Sequence, residues 1–198
     1  MSVAPRREQL LDAADRVVQR DGPEASMNAI ATEAGITKPI LYRHFGDKAG
    51  LYRALVERHA GELLGQLRVA LATRGTRRRR VEATIDAYLR VIEANPALYR
   101  FLVHRAVQEE PAVTSSVALF LHRLAEELAA GIRLELDGAA GPAGSVQAVV
   151  WAQGIVGMVQ QAGDWWLQRR PVPRAVLVEQ LTELLWGGLA GAAGSPVR

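Results

Sequence analysis

Between Ala34 and Gly46 the sequence holds Lys38, Tyr42, Arg43 and His44 and no acidic residue. A lysine reaches a phosphate or a guanine edge, and a tyrosine donates to a phosphate or meets a thymine methyl. Lys48 stands near the start of the next helical pattern, where free backbone N–H groups and the positive end of the helix dipole hold a further phosphate. Contacts of the first kind set preference among bases, and phosphate contacts set register. Bond-making chemistry has no comparable footing. There is no cysteine, so disulfides and thiolate metal sites are excluded. G-x-S-x-G, the Walker loop, H-E-x-x-H and a strand-linked G-x-G-x-x-G are missing, and His59, His104 and His122 lack paired ligand spacing. No enzymatic activity, cofactor or metal is expected.

These side chains need elements that present them. Ser26 suits an N-cap, accepting from an orphan backbone N–H, and Ile30, Ala31 and Ala34 give the helix behind it a short apolar face. Gly35 stands where a tight turn needs an unhindered backbone, with Ile36 tucked beneath it. Thr37 is a second N-cap, and Pro39 falls in the first turn, where its missing N–H costs little. Leu41 and Phe45, four apart, face inward. The spacing predicts two short helices, about 27–34 and 38–44, joined by a glycine-containing turn. That is the helix-turn-helix plan, whose second helix enters the major groove of DNA.

Helical periodicity dominates the rest of the chain, and no alternating strand pattern competes with it. Leu10, Ala14 and Val17 mark a first helix ending at Asp21-Gly22-Pro23. Asp47 caps a long helix reaching about residue 72. Val81, Ile85, Tyr88 and Ile92 mark another, and Asn95-Pro96 restarts the chain with a cap and a first-turn proline. Glu110-Pro111 breaks it again. Val117, Phe120, Leu121, Leu124, Leu128 and Ile132 form a further apolar stripe. A Gly/Ala/Pro loop is expected at 138–144, with Ser145 capping a helix to about 170. Pro171-Val172-Pro173 separates it from a last helix, about 174–190, and the tail GAAGSPVR is expected to fray. The expected fold is all-α, with about nine helices.

Of 198 residues, 49% are hydrophobic and the net charge is only +3, which excludes a disordered chain. Residues 1–80 carry a net +6 and residues 81–198 a net −3, so the first half is the one suited to a polyanion. Lys38 and Lys48 are the only lysines, so part of this arginine content reflects compositional bias. Arg77–Arg80, with Arg74, reads as a solvated loop before the fifth helix. No charge occurs between Asp137 and Asp164, but glutamines and glycines interrupt the run, which suits a helix buried in a protein interface better than a membrane span. An N-terminus without an apolar h-region points to a cytoplasmic, nucleoid-associated protein.

The string ITKPILYRHFGDKAGLYRAL, preceded by MNAIATEAG, resembles the signature of the TetR/AcrR family of bacterial regulators over about residues 8–58. The resemblance implies a DNA-binding domain at 1–60 and a ligand-binding and dimerisation domain at 61–198. It implies a homodimer through the last two long helices and a small ligand that releases DNA. It places Thr37, Lys38, Pro39 and Tyr42 at recognition-helix contact positions, His44 and Lys48 at phosphate-contacting positions, and Ser26 and Asn28 at the start of the supporting helix, which touches backbone phosphate. Arg6 and Arg7 precede the first helix, as basic arms do. Pro39-Ile40 departs from the smaller pair usual there, so base preference should differ. The expected function is a ligand-released repressor on a pseudo-palindromic double-stranded operator, with a same-fold activator as the alternative. Phe101, His104, Phe120 and Trp151 are candidates for lining a pocket for an apolar or aromatic effector, although each also suits core packing, the commoner role.

Overall fold

A computed structural model of the protein describes residues 3–105, 110–136 and 142–193. Among the described residues there is no strand. Nine α-helices follow in order among the described residues: α1 (Val3–Asp21), α2 (Met27–Glu33), α3 (Lys38–Phe45), α4 (Lys48–Leu71), α5 (Arg77–Ala94), α6 (Pro96–Arg100), α7 (Pro111–Leu136), α8 (Pro142–Arg169) and α9 (Arg174–Ala193). A 3-10 turn, Gly22–Glu24, follows α1, and a π turn, Phe101–Arg105, continues from α6.

Two compact units divide these helices: Met1–Glu62 with Asn95–Phe120, and Leu63–Ala94 with Leu121–Arg198. The segment 95–120 packs with the first unit because Leu98, Phe101, Leu102 and Val113 join its core. Helix α4 contributes residues to both units. Its Gly61 and Gly65 meet nothing within 4 Å at the place of a side chain.

In the first unit, Leu10, Leu11, Ala14, Val17 and Val18 of α1 are buried, at the spacing that puts them on one helical face. They pack with Ile30 of α2, Leu41 and Phe45 of α3, and Leu51, Tyr52 and Leu55 of α4. The Tyr52 and Phe101 rings meet edge-to-face, with centroids 4.9 Å apart, a favoured aromatic geometry.

In the second unit, α5 packs on α8 and α9. A Cβ on Gly163 of α8 would lie 3.0 Å from Tyr88 and 3.1 Å from Ile92 of α5, so glycine is what allows this approach. Ala125 and Ala129 of α7 meet Ala148 and Ala152 of α8 in a second small-residue seam. Arg174 donates to Asp86 at 2.9 Å and also pairs with Glu93, which Arg170 reaches at 2.6 Å. Partial burial opposes ionisation of Glu93, but the hydrogen bonds from Arg174 and Arg170 hold its carboxyl below the usual range.

Several local expectations change. Helix α1 starts at Val3, so Arg6 and Arg7 lie within it rather than ahead of it. Asn95 is an N-cap by position, but its side chain makes no cap bond and instead accepts from Gln19 at 3.0 Å. Arg77–Arg80 form the first turn of α5, not a loop. Helix α8 begins at Pro142, a residue preorganised for a first turn, so Ser145 lies inside that turn instead of capping it. The expected loop at 138–144 and frayed tail fall partly on residues 137–141 and 194–198, outside the described residues. Among the described residues, no helix is long and apolar enough to cross a membrane.

Candidate nucleic-acid interface and ligand cavity

Helices α2 and α3 and the turn between them are fixed by local rules. Ser26 Oγ accepts from Ala29 N at 3.2 Å, the capping bond expected of it. At the other end of α2, Gly35 takes φ +65°, its N–H donates to Thr32 O at 3.0 Å, and Ile36 N donates to Ala31 O at 2.9 Å. This pair of bonds is the Schellman arrangement, which needs a left-handed residue after the helix. Thr37 occupies the N-cap position of α3, but its side chain makes no cap bond, so its exposed hydroxyl has another use open to it. Asp47 Oδ1 accepts from Gly50 N at 2.6 Å, capping α4 as expected.

Anchored by buried Leu41 and Phe45, α3 turns Thr37, Lys38 and Pro39 outward, and all three are exposed. Tyr42 is half-buried and packs against the core. Lys38 Nζ lies 5.6 Å from its ring centroid, so the two form one cationic, aromatic surface. His44 and Lys48 are half-exposed, and Ser26 and Asn28 are exposed at the start of α2. Lys48 Nζ lies 5.4 Å from the Tyr52 ring centroid. Arg7 stacks over Phe45 at 5.0 Å, a packing role the sequence did not suggest.

A polar cluster ties α1 to α4 behind this surface. Arg58 pairs with Asp12 at 2.5 Å and with Asp15 at 3.6 Å. His59 places Nε2 2.8 Å from Asp15 and Nδ1 3.2 Å from Glu62. Both ring nitrogens face carboxylates, and only the protonated ring donates to both. Burial opposes that charge, but Asp15 and Glu62 outweigh it and raise His59 above its ordinary 6.5. A raised folded-state value contributes stability that is complete below 6.5 and is lost as pH climbs through the higher value. The groups facing the ring are Asp15, with Asp12 and Glu8 beyond it on α1, and Glu62 and Arg58 on α4. The denaturant midpoint is therefore expected to fall from pH 6 to pH 8.5 in wild type and to fall less in His59→Gln. Equal pH slopes in the two proteins would refute the assignment.

The second unit contains a cavity of about 90 Å³. Its walls come from Leu67 and Leu71 of α4, Val81, Thr84, Ile85 and Tyr88 of α5, Leu121, Leu124 and Leu128 of α7, Ile155, Val156, Val159 and Gln160 of α8, and Leu185 of α9. Among the described residues that line it, Thr84, Tyr88 and Gln160 are the polar ones. Of the pocket candidates whose side chains are described, Phe101, Phe120 and Trp151, none is in its walls. Phe101 is in the first unit's core, Phe120 is half-buried in that unit, and Trp151 is half-buried on α8. The His104 side chain lies outside the described residues. The lining residues belong instead to apolar stripes whose spacing reads simply as helix core. Among the described residues, no group of histidines and carboxylates is arranged to hold a metal.

Residues 10–55 match the family described as bacterial regulatory proteins, tetR family, and residues 66–196 match the tetracyclin repressor-like C-terminal domain. The HTH-type transcriptional activator FasR of Mycolicibacterium smegmatis is 33% identical over 187 residues, covering 93% of this chain and 83% of the relative. A TetR-family transcriptional regulator from Streptomyces coelicolor superposes with a TM-score of 0.77 at 24% identity, covering 98% of this chain and 84% of that one. The transcriptional regulator FadR from Bacillus subtilis, solved in complex with stearoyl-CoA, gives 0.67 at 18% identity, covering 90% and 96%. The protein is a DNA-binding transcription regulator, not an enzyme, and the chain belongs to the TetR family.

Proposed function

We propose that the protein binds a pseudo-palindromic operator as a homodimer and that a small apolar ligand in the second unit's cavity releases it, making it a ligand-released repressor. The observation that carries the DNA reading is the exposed, acid-free first turn of α3, held rigidly by Leu41 and Phe45. Thr37, Lys38, Pro39 and Tyr42 read bases, while His44, Lys48, Ser26 and Asn28 hold phosphates.

A dimer is supported by the outer faces of α8 and α9. Val146, Val150, Trp165 and Leu184 are exposed. Gly154 and Gly157, whose spacing suits close helix packing, meet nothing within 4 Å in the single chain. An apolar face of this kind calls for a partner surface, and a second copy supplies an identical one. Two α3 helices must stand about 34 Å apart to enter successive major grooves.

Release needs a ligand that prefers the arrangement unfit for DNA. Helix α4 starts at the phosphate candidate Lys48 and ends in the cavity wall at Leu71, so it is the element through which such a preference would act. The cavity lining suits an aliphatic chain, and the stearoyl-CoA complex of the FadR relative makes long-chain acyl compounds the first to try. A second reading, transcriptional activation, is favoured by the relative FasR, which is named an activator.

The test is fluorescence anisotropy with the duplex upstream of the protein's own gene, across a salt series. Tight binding with a steep salt dependence, weakened by an acyl compound, is the expected result. Binding no tighter than to a random duplex would count against the operator assignment. Reporter expression with and without the gene separates repression from activation.

A further inference from the structure

We propose that Arg77 and Arg78 form a subsite for an anionic head at the edge of the apolar cavity, so that the ligand is an amphipathic acyl compound rather than a neutral one. This rests on the cavity being the ligand site. The α5 wall of the cavity is Val81, Thr84, Ile85 and Tyr88. Steps of three and four residues back from Val81 reach Arg78 and Arg77, which therefore continue the same helical face by one turn. Arg78 pairs with Glu183 of α9, and Leu185, two residues further along α9, is itself in the wall.

Charge points the same way. Helix α5 opens with four arginines in succession and has no acid in its first turn. The start of a helix is the positive end of its dipole, where acidic groups stabilise and cations oppose it. A negative ligand group offsets that repulsion. The cavity below offers only two neutral hydroxyls and an amide as polar groups, and burying an ion there without a partner is costly. A charged head consequently stays at the rim while the chain goes in. Guanidinium forks match phosphate and carboxylate oxygens. The Arg78–Glu183 pair is exposed on both sides, so it is worth little and is readily exchanged for a ligand. Arg74 precedes the helix, and Arg79 lies on another face, over Glu82 and Ala83 instead of the wall.

The test measures binding of dodecanoyl-CoA, dodecanoate and 1-dodecanol, below their micellar concentrations, to full-length wild type, Arg77→Ala/Arg78→Ala and Arg74→Ala/Arg79→Ala. Each double variant removes two positive charges. Alanine raises helix propensity at this terminus, so both should fold, and thermal melting checks it. Arg77→Ala/Arg78→Ala is expected to lose about tenfold or more for the anionic probes, the worth of one charge-assisted hydrogen bond or more, with 1-dodecanol unchanged. Arg74→Ala/Arg79→Ala should change none of them by more than about threefold, since it leaves the rim contacts intact. Loss confined to dodecanoyl-CoA assigns the subsite to phosphate, and loss shared with dodecanoate assigns it to carboxylate. Equal losses in the two double variants, or no loss in either, overturn the subsite. If 1-dodecanol binds wild type as tightly as the anions do, the subsite fails while the cavity reading stands. If no dodecyl probe binds wild type, the cavity reading fails and takes the subsite with it.

Discussion

Lys38→Ala combined with Tyr42→Phe is expected to weaken operator binding about a hundredfold. Base-edge and phosphate contacts of these types are worth about 1–3 kcal/mol each, and about 2.7 kcal/mol corresponds to that factor. Phenylalanine is the right replacement at 42 because the ring packs against the core, and alanine would loosen α3 as well as remove the hydroxyl. The single Lys38→Ala variant separates two roles. Loss of a phosphate contact lowers the slope of log affinity against log salt by about one and weakens all duplexes alike. Loss of a base contact relaxes discrimination at one operator position and leaves the slope nearer its wild-type value. Anisotropy titrations on the operator and on single-substituted duplexes read both. A double variant within about threefold of wild type would remove α3 from the interface.

Trp166→Ala is expected to cost about 3–5 kcal/mol of stability, the range for truncating a fully buried large aromatic. Trp166 is 1% exposed and lies where α8 ends. Its Nε1 donates to Val172 O at 2.8 Å, fastening the turn that leads to α9. Arg170 stacks on the ring at 4.0 Å while holding φ +47°, a conformation that costs a non-glycine residue about 1 kcal/mol or more. The stacking and the bond to Glu93 at 2.6 Å hold Arg170 there. Trp166→Phe keeps most of the ring and loses the hydrogen bond, leaving Val172 O to find another donor, so its cost should be smaller, about 1–2 kcal/mol. Urea unfolding followed by circular dichroism measures both. A loss under about 1 kcal/mol for the alanine variant would show that the turn is fastened elsewhere.

The DNA-reading end of the molecule was legible because its signals are local. Ser26 and Asp47 cap the helices they were expected to cap, Gly35 turns the chain, and Leu41 and Phe45 face inward, each decided by a few neighbouring residues. Thr37 shows where such rules end, since its residue type suits a cap and the backbone position is right, yet the hydroxyl is not used for it. The cavity was illegible for a different reason. Tyr88, Leu124 and Val156 carry the same periodicity whether they close a core or border a space, and only the assembled helices distinguish the two. Phe101 takes the core-packing role open to it, its ring meeting Tyr52 edge-to-face. The arginine run is helical and not loop because Thr76 ends the preceding turn and sets its register: Arg79 N donates to Thr76 Oγ1 at 3.3 Å, and Arg80 N to Thr76 O at 3.2 Å.

Gly61 and Gly65 stand on either side of the point where α4 passes from one compact unit to the other. Neither has a neighbour that excludes a methyl group, so each leaves α4 about 1 kcal/mol weaker than alanine would. Between them Leu63 and Leu64 are buried, as Leu55 and Leu67 are on the two sides, so the weakness lies in helix propensity and not in packing. Backbone amides at Gly61 and Gly65 are expected to exchange for deuterium ahead of those at Leu55 and Leu67, which wait for larger units to open. In kinetic terms α4 is two stiff segments sharing one soft turn.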